Sequence, residues 1–309
     1  MTLVSNDPIY WPSINLNIFF SYFAVISTVV VLYDWILAFG HEVELIWRRP
    51  WSLITVLYVG VRYAGMPYAV INMLDNLPTV SVTDAVSANF YYAINWISVV
   101  MNVLLGAIMI IRLHALYQGS RKMLIFLIVT LLPVVITSGV SVGFTNSYTS
   151  GEELVLSGTY KCGYEFGGNS SLLLFITWIL GTVWEVLMFC LVVWIAVKHF
   201  RELRRWTIEG FYTVLIKTHV LYFASCAAVS CFQFGYYSPA LATSPVGSLV
   251  YGGVLQILWN VQMFVLGPRL ILSVREFNAK LVAGFEAETN MSGIDFQEHA
   301  RMSIGSMTA

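Results

Sequence analysis

The run His41-Glu42-Val43-Glu44-Leu45 starts like a zinc-protease helix. In that motif two histidines four residues apart face one metal and the glutamate serves as base. Leu45 stands where the second histidine must be, so the pair is incomplete. His41, His114, His199 and His219 fall toward one side of the predicted bundle. An intramembrane zinc enzyme acting on lipid would need such clustering plus an activating carboxylate. Four cysteines form no Cys-x-x-Cys pair and no framework. No metal, cofactor or catalytic residue is therefore expected.

Three ionisable residues lie within apolar runs: Asp34, Arg62 and Glu185. A charge inside a bilayer is costly, faces the bundle interior and finds a partner there. Arg62 and Glu185 each lie about twelve residues from the inner ends of their spans, roughly 18 Å up at 1.5 Å per residue. They are expected to share a polar cavity and to pair, with Asp34 as the other partner within reach of Arg62. Asn95 and Asn102, seven apart, and Gln256 and Asn260, four apart, are expected to add amide groups to that interior. Asp34, Arg62, Asn95, Asn102, Glu185, Gln256 and Asn260 together make the candidate small-molecule pocket. A buried ion pair that only fixes helix packing is the competing reading.

The elements that must position these residues follow from composition. The chain has 309 residues, 58% of them hydrophobic and only 11% charged, against roughly 25% charged in an ordinary soluble domain. Its mean hydropathy is +0.75. Such a chain is expected to be an integral membrane protein, with lipid as its first partner. A net charge of −1 gives no electrostatic footprint for nucleic acid. Seven apolar runs are near the roughly 20 residues a helix needs to cross the hydrocarbon core: 14–37, 52–73, 90–111, 123–144, 171–197, 212–234 and 247–266. The expectation is an all-α seven-helix bundle over 1–283. A short amphipathic interfacial helix at 269–283 and a disordered polar tail at 284–309 would follow. The long link between the fourth and fifth spans reads as loop.

Lysine and arginine set the orientation. One side holds the links 38–50, 112–122 and 198–211 and the tail from 267. It carries Arg48, Arg49, Arg112, Arg121, Lys122, Lys198, Arg201, Arg204, Arg205, Arg269, Arg275, Lys280 and Arg301, thirteen of the sixteen cations. The other side has only Lys161, facing Asp7, Asp75, Asp84, Glu152, Glu153 and Glu165. The cationic side is expected to be cytoplasmic, which puts the amino terminus outside and the carboxyl terminus inside. No basic n-region or cleavage site precedes the first span, so that span is expected to serve as an uncleaved signal. Asn169-Ser170-Ser171 is a glycosylation sequon on the outer side. The membrane is expected to be the plasma membrane or another membrane of the secretory pathway.

The stretches YDWILAFGHEVELIWRRPWSLITVLYVGVRY, IIRLHALYQGSRKMLIF, TWILGTVWEVLMFCLVVWIAVKHFRELRR and VQMFVLGPRLILSVREF resemble a family of basidiomycete fungal seven-helix membrane proteins that carries a domain of unknown function. The resemblance covers nearly the whole chain and implies a multi-pass membrane protein with no assigned activity. The family often has a cysteine at the outer start of the third helix. This chain reads VSANFYY there, which leaves Cys162 without that partner.

Topology makes a receptor or sensor the leading expectation, with a cytoplasmic signalling partner at the inner loops. The usual receptor signals are absent: Ile-Ile-Arg-Leu-His has no acid before Arg112, and Leu-Gly-Pro-Arg replaces an Asn-Pro turn. A retinal Schiff base needs a lysine in the last span, and 247–266 has none. A lipid-modifying enzyme is the alternative, followed by a transporter or channel using Asp34, Arg62 and Glu185. No internal repeat favours the last.

Overall fold

The computed structural model describes residues 2–48, 50–80, 84–117, 119–156, 159–166, 170–203, 211–236, 244–273 and 275–276. Asn169, most of the expected interfacial helix and the tail at 284–309 lie outside the described residues.

Among the described residues seven long helices stand out: α1 (Trp11–Glu42), α2 (Leu53–Asn76), α3 (Asp84–Leu116), α4 (Arg121–Tyr148), α5 (Ser170–Leu203), α6 (Phe211–Tyr236) and α7 (Pro245–Val261). Six are long and apolar enough to cross a membrane, and the seventh, α6, contains the shorter apolar stretch Val220–Gly235. Local chemistry sets the ends. Pro12 sits in the first turn of α1, where its missing N–H costs nothing. Ser52 and Thr55 form a reciprocal capping box at the start of α2. Gly119, at φ +75°, takes the left-handed turn that closes α3 before α4 begins.

Two helices run on where the sequence suggests a stop. The polar run after residue 37 reads as a cytoplasmic link. Instead α1 continues to Glu42 and then through a π-helical turn, Val43–Trp47. At the other end of the chain, Gly267-Pro268 reads as a break before an interfacial helix. Instead α7 passes through a π-helical turn, Gln262–Leu266, and stays helical to Ser273. The wide turn lies where Pro268 supplies no N–H for the ordinary ladder.

The helices pack as a closed ring in chain order: α1 on α2, α2 on α3, and so on to α6 on α7 and α7 back on α1. The packing is inside out relative to a soluble protein. Large apolar side chains such as Ile125, Val129, Ile136, Val140 and Trp194 point outward, Trp194 at 72% exposure, as lipid-facing surface requires. Inside, one cluster joins α1, α2, α3 and α7 around Tyr58, Val61, Met101 and Phe264. A second joins α3, α4, α5 and α6 around Leu113, Leu127, Met188 and Phe223. Small residues allow the close crossings. A Cβ on Gly65 would fall within the ring of Phe264, so α2 and the α7 turn touch only because that atom is missing.

The bundle is all-helical, as expected, but the reading of the α4–α5 link as loop needs correction. A three-stranded sheet is present, with β1 (Thr2–Ser5) parallel to β2 (Thr149–Leu156), and β2 antiparallel to β3 (Thr159–Phe166). The α4–α5 link is thus a hairpin, paired with the amino terminus. Its signal was the period-two run Tyr160, Cys162, Tyr164, Phe166.

Candidate functional site

Asp34, Ala38 and Glu42 recur every four residues on α1, so they share one face, and all three are buried. Tyr58 and Arg62 recur likewise on α2 and are buried against that face. The extension of α1 therefore carries Glu42 inward. Sequence reading places it in a solvent-side link, neutralising neighbouring cations; it is 0% exposed.

Arg62 is the hub. Its Nη1 donates to Asp34 Oδ2 at 2.7 Å. Its Nη2 donates to the backbone carbonyls of Asp34 at 3.2 Å and Trp35 at 3.1 Å. Its Nε lies 3.7 Å from Glu42 Oε2. Glu42 also accepts from Tyr58 Oη at 3.3 Å, Tyr63 Oη at 2.9 Å and Trp47 Nε1 at 3.2 Å. The second oxygen of Asp34 accepts from Arg269 Nε, across from α7. Two carboxylates and two guanidinium groups sum to zero charge. Each carboxylate oxygen has a donor or an ion partner, the condition under which buried charge is tolerated. Such carboxylates hold helices together.

Arg62 therefore pairs with Asp34 and Glu42, and not with Glu185. It is the tenth residue of α2, about 14 Å from the helix start, and α2 packs on α1 and α3. Glu185 sits across the ring at the α5–α6 contact, where Ser230 donates to it. The amides separate as well. Gln256 donates to Asn72, and Asn260 to Ser27 Oγ at 3.0 Å, both on the α1–α2–α7 side. Asn95 donates to Asn146 at 3.2 Å, between α3 and α4. Asn102 is exposed on the outer face of α3 and joins none of these. The seven residues expected in one pocket thus fall into at least four separate places.

Beside the network a cleft of about 600 Å³ opens between the end of α1, the middle of α6 and the end of α7. Leu37, His41, Leu221, Tyr222, Leu266 and Arg269 are among its lining residues. Arg269 belongs to both features. Its side chain is 54% exposed, whereas Asp34, Glu42 and Arg62 are nearly solvent-free. Among the described residues no three His, Cys, Asp or Glu side chains group as a metal site. The side chains of His199 and His219 lie outside the described residues.

Sequence reasoning missed Glu42, Tyr58, Tyr63 and Arg269. The spacing 34, 38, 42 was a signal for Glu42, available only if the helix is carried past residue 37. Arg269 gave none, since it counts simply as one more cation after the last span.

A family of unknown function (DUF6533) matches residues 22–67. That segment holds Asp34, Glu42, Trp47, Tyr58, Arg62 and Tyr63, every member of the network except Arg269. No curated protein matches the chain. The chain is a multi-pass membrane protein carrying this segment.

Proposed function

We propose that the chain is a receptor- or sensor-like seven-helix membrane protein, with its amino terminus outside and its carboxyl terminus in the cytoplasm. Three observations support the topology. The helix α6 has 26 residues, enough for a seventh crossing. Thirteen of sixteen cations fall on one set of links. Pairing of β1 with β2 puts the amino terminus and the α4–α5 link together, as four crossings between them require. On the resemblance of the further stretches, we assign the whole chain to the fungal family suggested by sequence.

The observation that carries the sensor reading is the Arg269–Asp34 contact. It ties α7 to α1 at the edge of an open cleft, through a buried acid and a half-exposed base. Drawing Arg269 into the cleft leaves Asp34 paired with Arg62 and removes the ion pair that ties the end of α7 to α1. A contact with two such arrangements is what a small-molecule ligand can bias. The moving end of α7 is next to the inner links, where a cytoplasmic signalling partner would bind.

Spin labels at Phe39→Cys and Ser273→Cys test the reading in the full chain. Wild type is expected to give two distance populations, and Arg269→Gln only the longer. A single distance unchanged by Arg269→Gln overturns it. Conversion of lipid by purified protein in vesicles would instead select the enzyme alternative, and ion flux the transporter.

A further inference from the structure

We infer that the cleft between α1, α6 and α7 is a binding site for an anionic phospholipid of the adjoining leaflet, with the headgroup phosphate on Arg269 and one acyl chain along Leu37, Leu221, Leu266 and Leu270. Arg269 uses Nε for Asp34 and makes no other hydrogen bond or ion pair among the described residues. Its two Nη groups make no hydrogen bond or ion pair among the described residues, and Arg269 lines the cleft. A planar guanidinium fork matches a phosphate with two parallel hydrogen bonds. Asp34 is shared between Arg62 and Arg269, so it engages only the Nε side of Arg269 and leaves both Nη groups for a phosphate.

The walls supply the rest. Leu37 and Leu221 are exposed rims at 53% and 61%. Tyr222, Leu270 and Leu272 form a buried floor at 5%, 6% and 7%. The apolar walls suit a hydrocarbon chain and the size falls within the roughly 300–1,000 Å³ of ligand sites. Lipid is the solvent of this surface, so the occupant enters sideways from the membrane and needs no aqueous path. Ser273 and His41 at the margin offer polar groups to the glycerol region. Glu276 also lines the mouth, but it is itself engaged with a partner. The inference needs the cleft only, not signalling or the proposed orientation.

The test uses the full chain in detergent micelles, where both ends of the bundle are equally accessible. A failure of orientation or signalling therefore leaves the result untouched. Lipid retention is read by native mass spectrometry after equilibration with equal phosphatidic acid and phosphatidylcholine. At least a tenfold preference for one bound phosphatidic acid is expected. Arg269→Gln should abolish the preference, and Arg269→Lys should keep part of it. Leu221→Trp, which fills the cleft from its exposed rim and leaves every charge in place, should lower retention of the chain at least fivefold. Equal retention of the two lipids, or retention unchanged in Leu221→Trp, overturns the site. So does displacement of phosphatidic acid by millimolar inorganic phosphate alone, since that would place the recognition in the phosphate without the chain.

Discussion

Around α1, α2 and the end of α7, four charged side chains are packed together with Tyr58, Tyr63 and Trp47. Across the ring, at α5 and α6, one carboxylate, Glu185, is held by Ser230 beside the cluster of Trp184, Met188 and Phe223. Both regions hold acid within an apolar bundle, yet among the described residues only the first pairs it with guanidinium. The difference is one of rigidity against latitude. A guanidinium that bridges two acids and two carbonyls fixes helix register, because shifting either helix breaks several charge-assisted bonds at once. A carboxyl with one hydroxyl partner fixes little. Arg269 is intermediate, charged and paired but half-exposed, and it sits where the rigid half meets the cleft.

Three substitutions would break or sharpen this contrast. The largest effect belongs to Glu42→Leu, which strips partners from Tyr58, Tyr63 and Trp47 and leaves Arg62 with one acid. A loss of about 3–5 kcal/mol is expected, as for breaking a buried pair, read as a lower unfolding midpoint in micelles. Little change would mean that Glu42 is not buried in this set. Gly65→Val comes next, because its new carbons must push Phe264 aside; roughly 1–3 kcal/mol is expected from overpacking. Retention of the wild-type midpoint would show that α2 and α7 are not in contact there. The smallest effect is assigned to Glu185→Gln, which keeps an acceptor for Ser230, at about 1 kcal/mol or less. A loss as large as that at Glu42 would erase the distinction between the two halves.

Much of the ring was legible because lipid-facing helices need little more than length and apolarity. The cationic links separated one helix from the next. What was not legible had specific causes. Residues 38–47 are mixed in polarity, so hydropathy ends α1 at 37, although the helix continues and turns Glu42 inward. Pro268 reads as a stop, although a π-helical turn carries α7 past it and brings Arg269 to Asp34. Asp34 and Arg62 could be marked as needing partners, but pairing depends on which helices adjoin. Only the ring order removes Glu185 from reach. Asn95 and Asn102 were set on one face by a spacing of seven, yet α3 presents Asn102 to the outside. The hairpin was missed because the long α4–α5 link was read for polarity and not for alternation.

The central claim is that Arg62 holds the bundle while Arg269, half-exposed and paired with one acid, adds little to its stability. Thermal unfolding of Arg62→Gln and Arg269→Gln, side by side in one micelle, tests it most directly. Arg62→Gln is expected to lose about 3–5 kcal/mol, and Arg269→Gln clearly less, since Asp34 keeps Arg62 as its partner. Equal losses, or a larger loss at Arg269, would contradict the account.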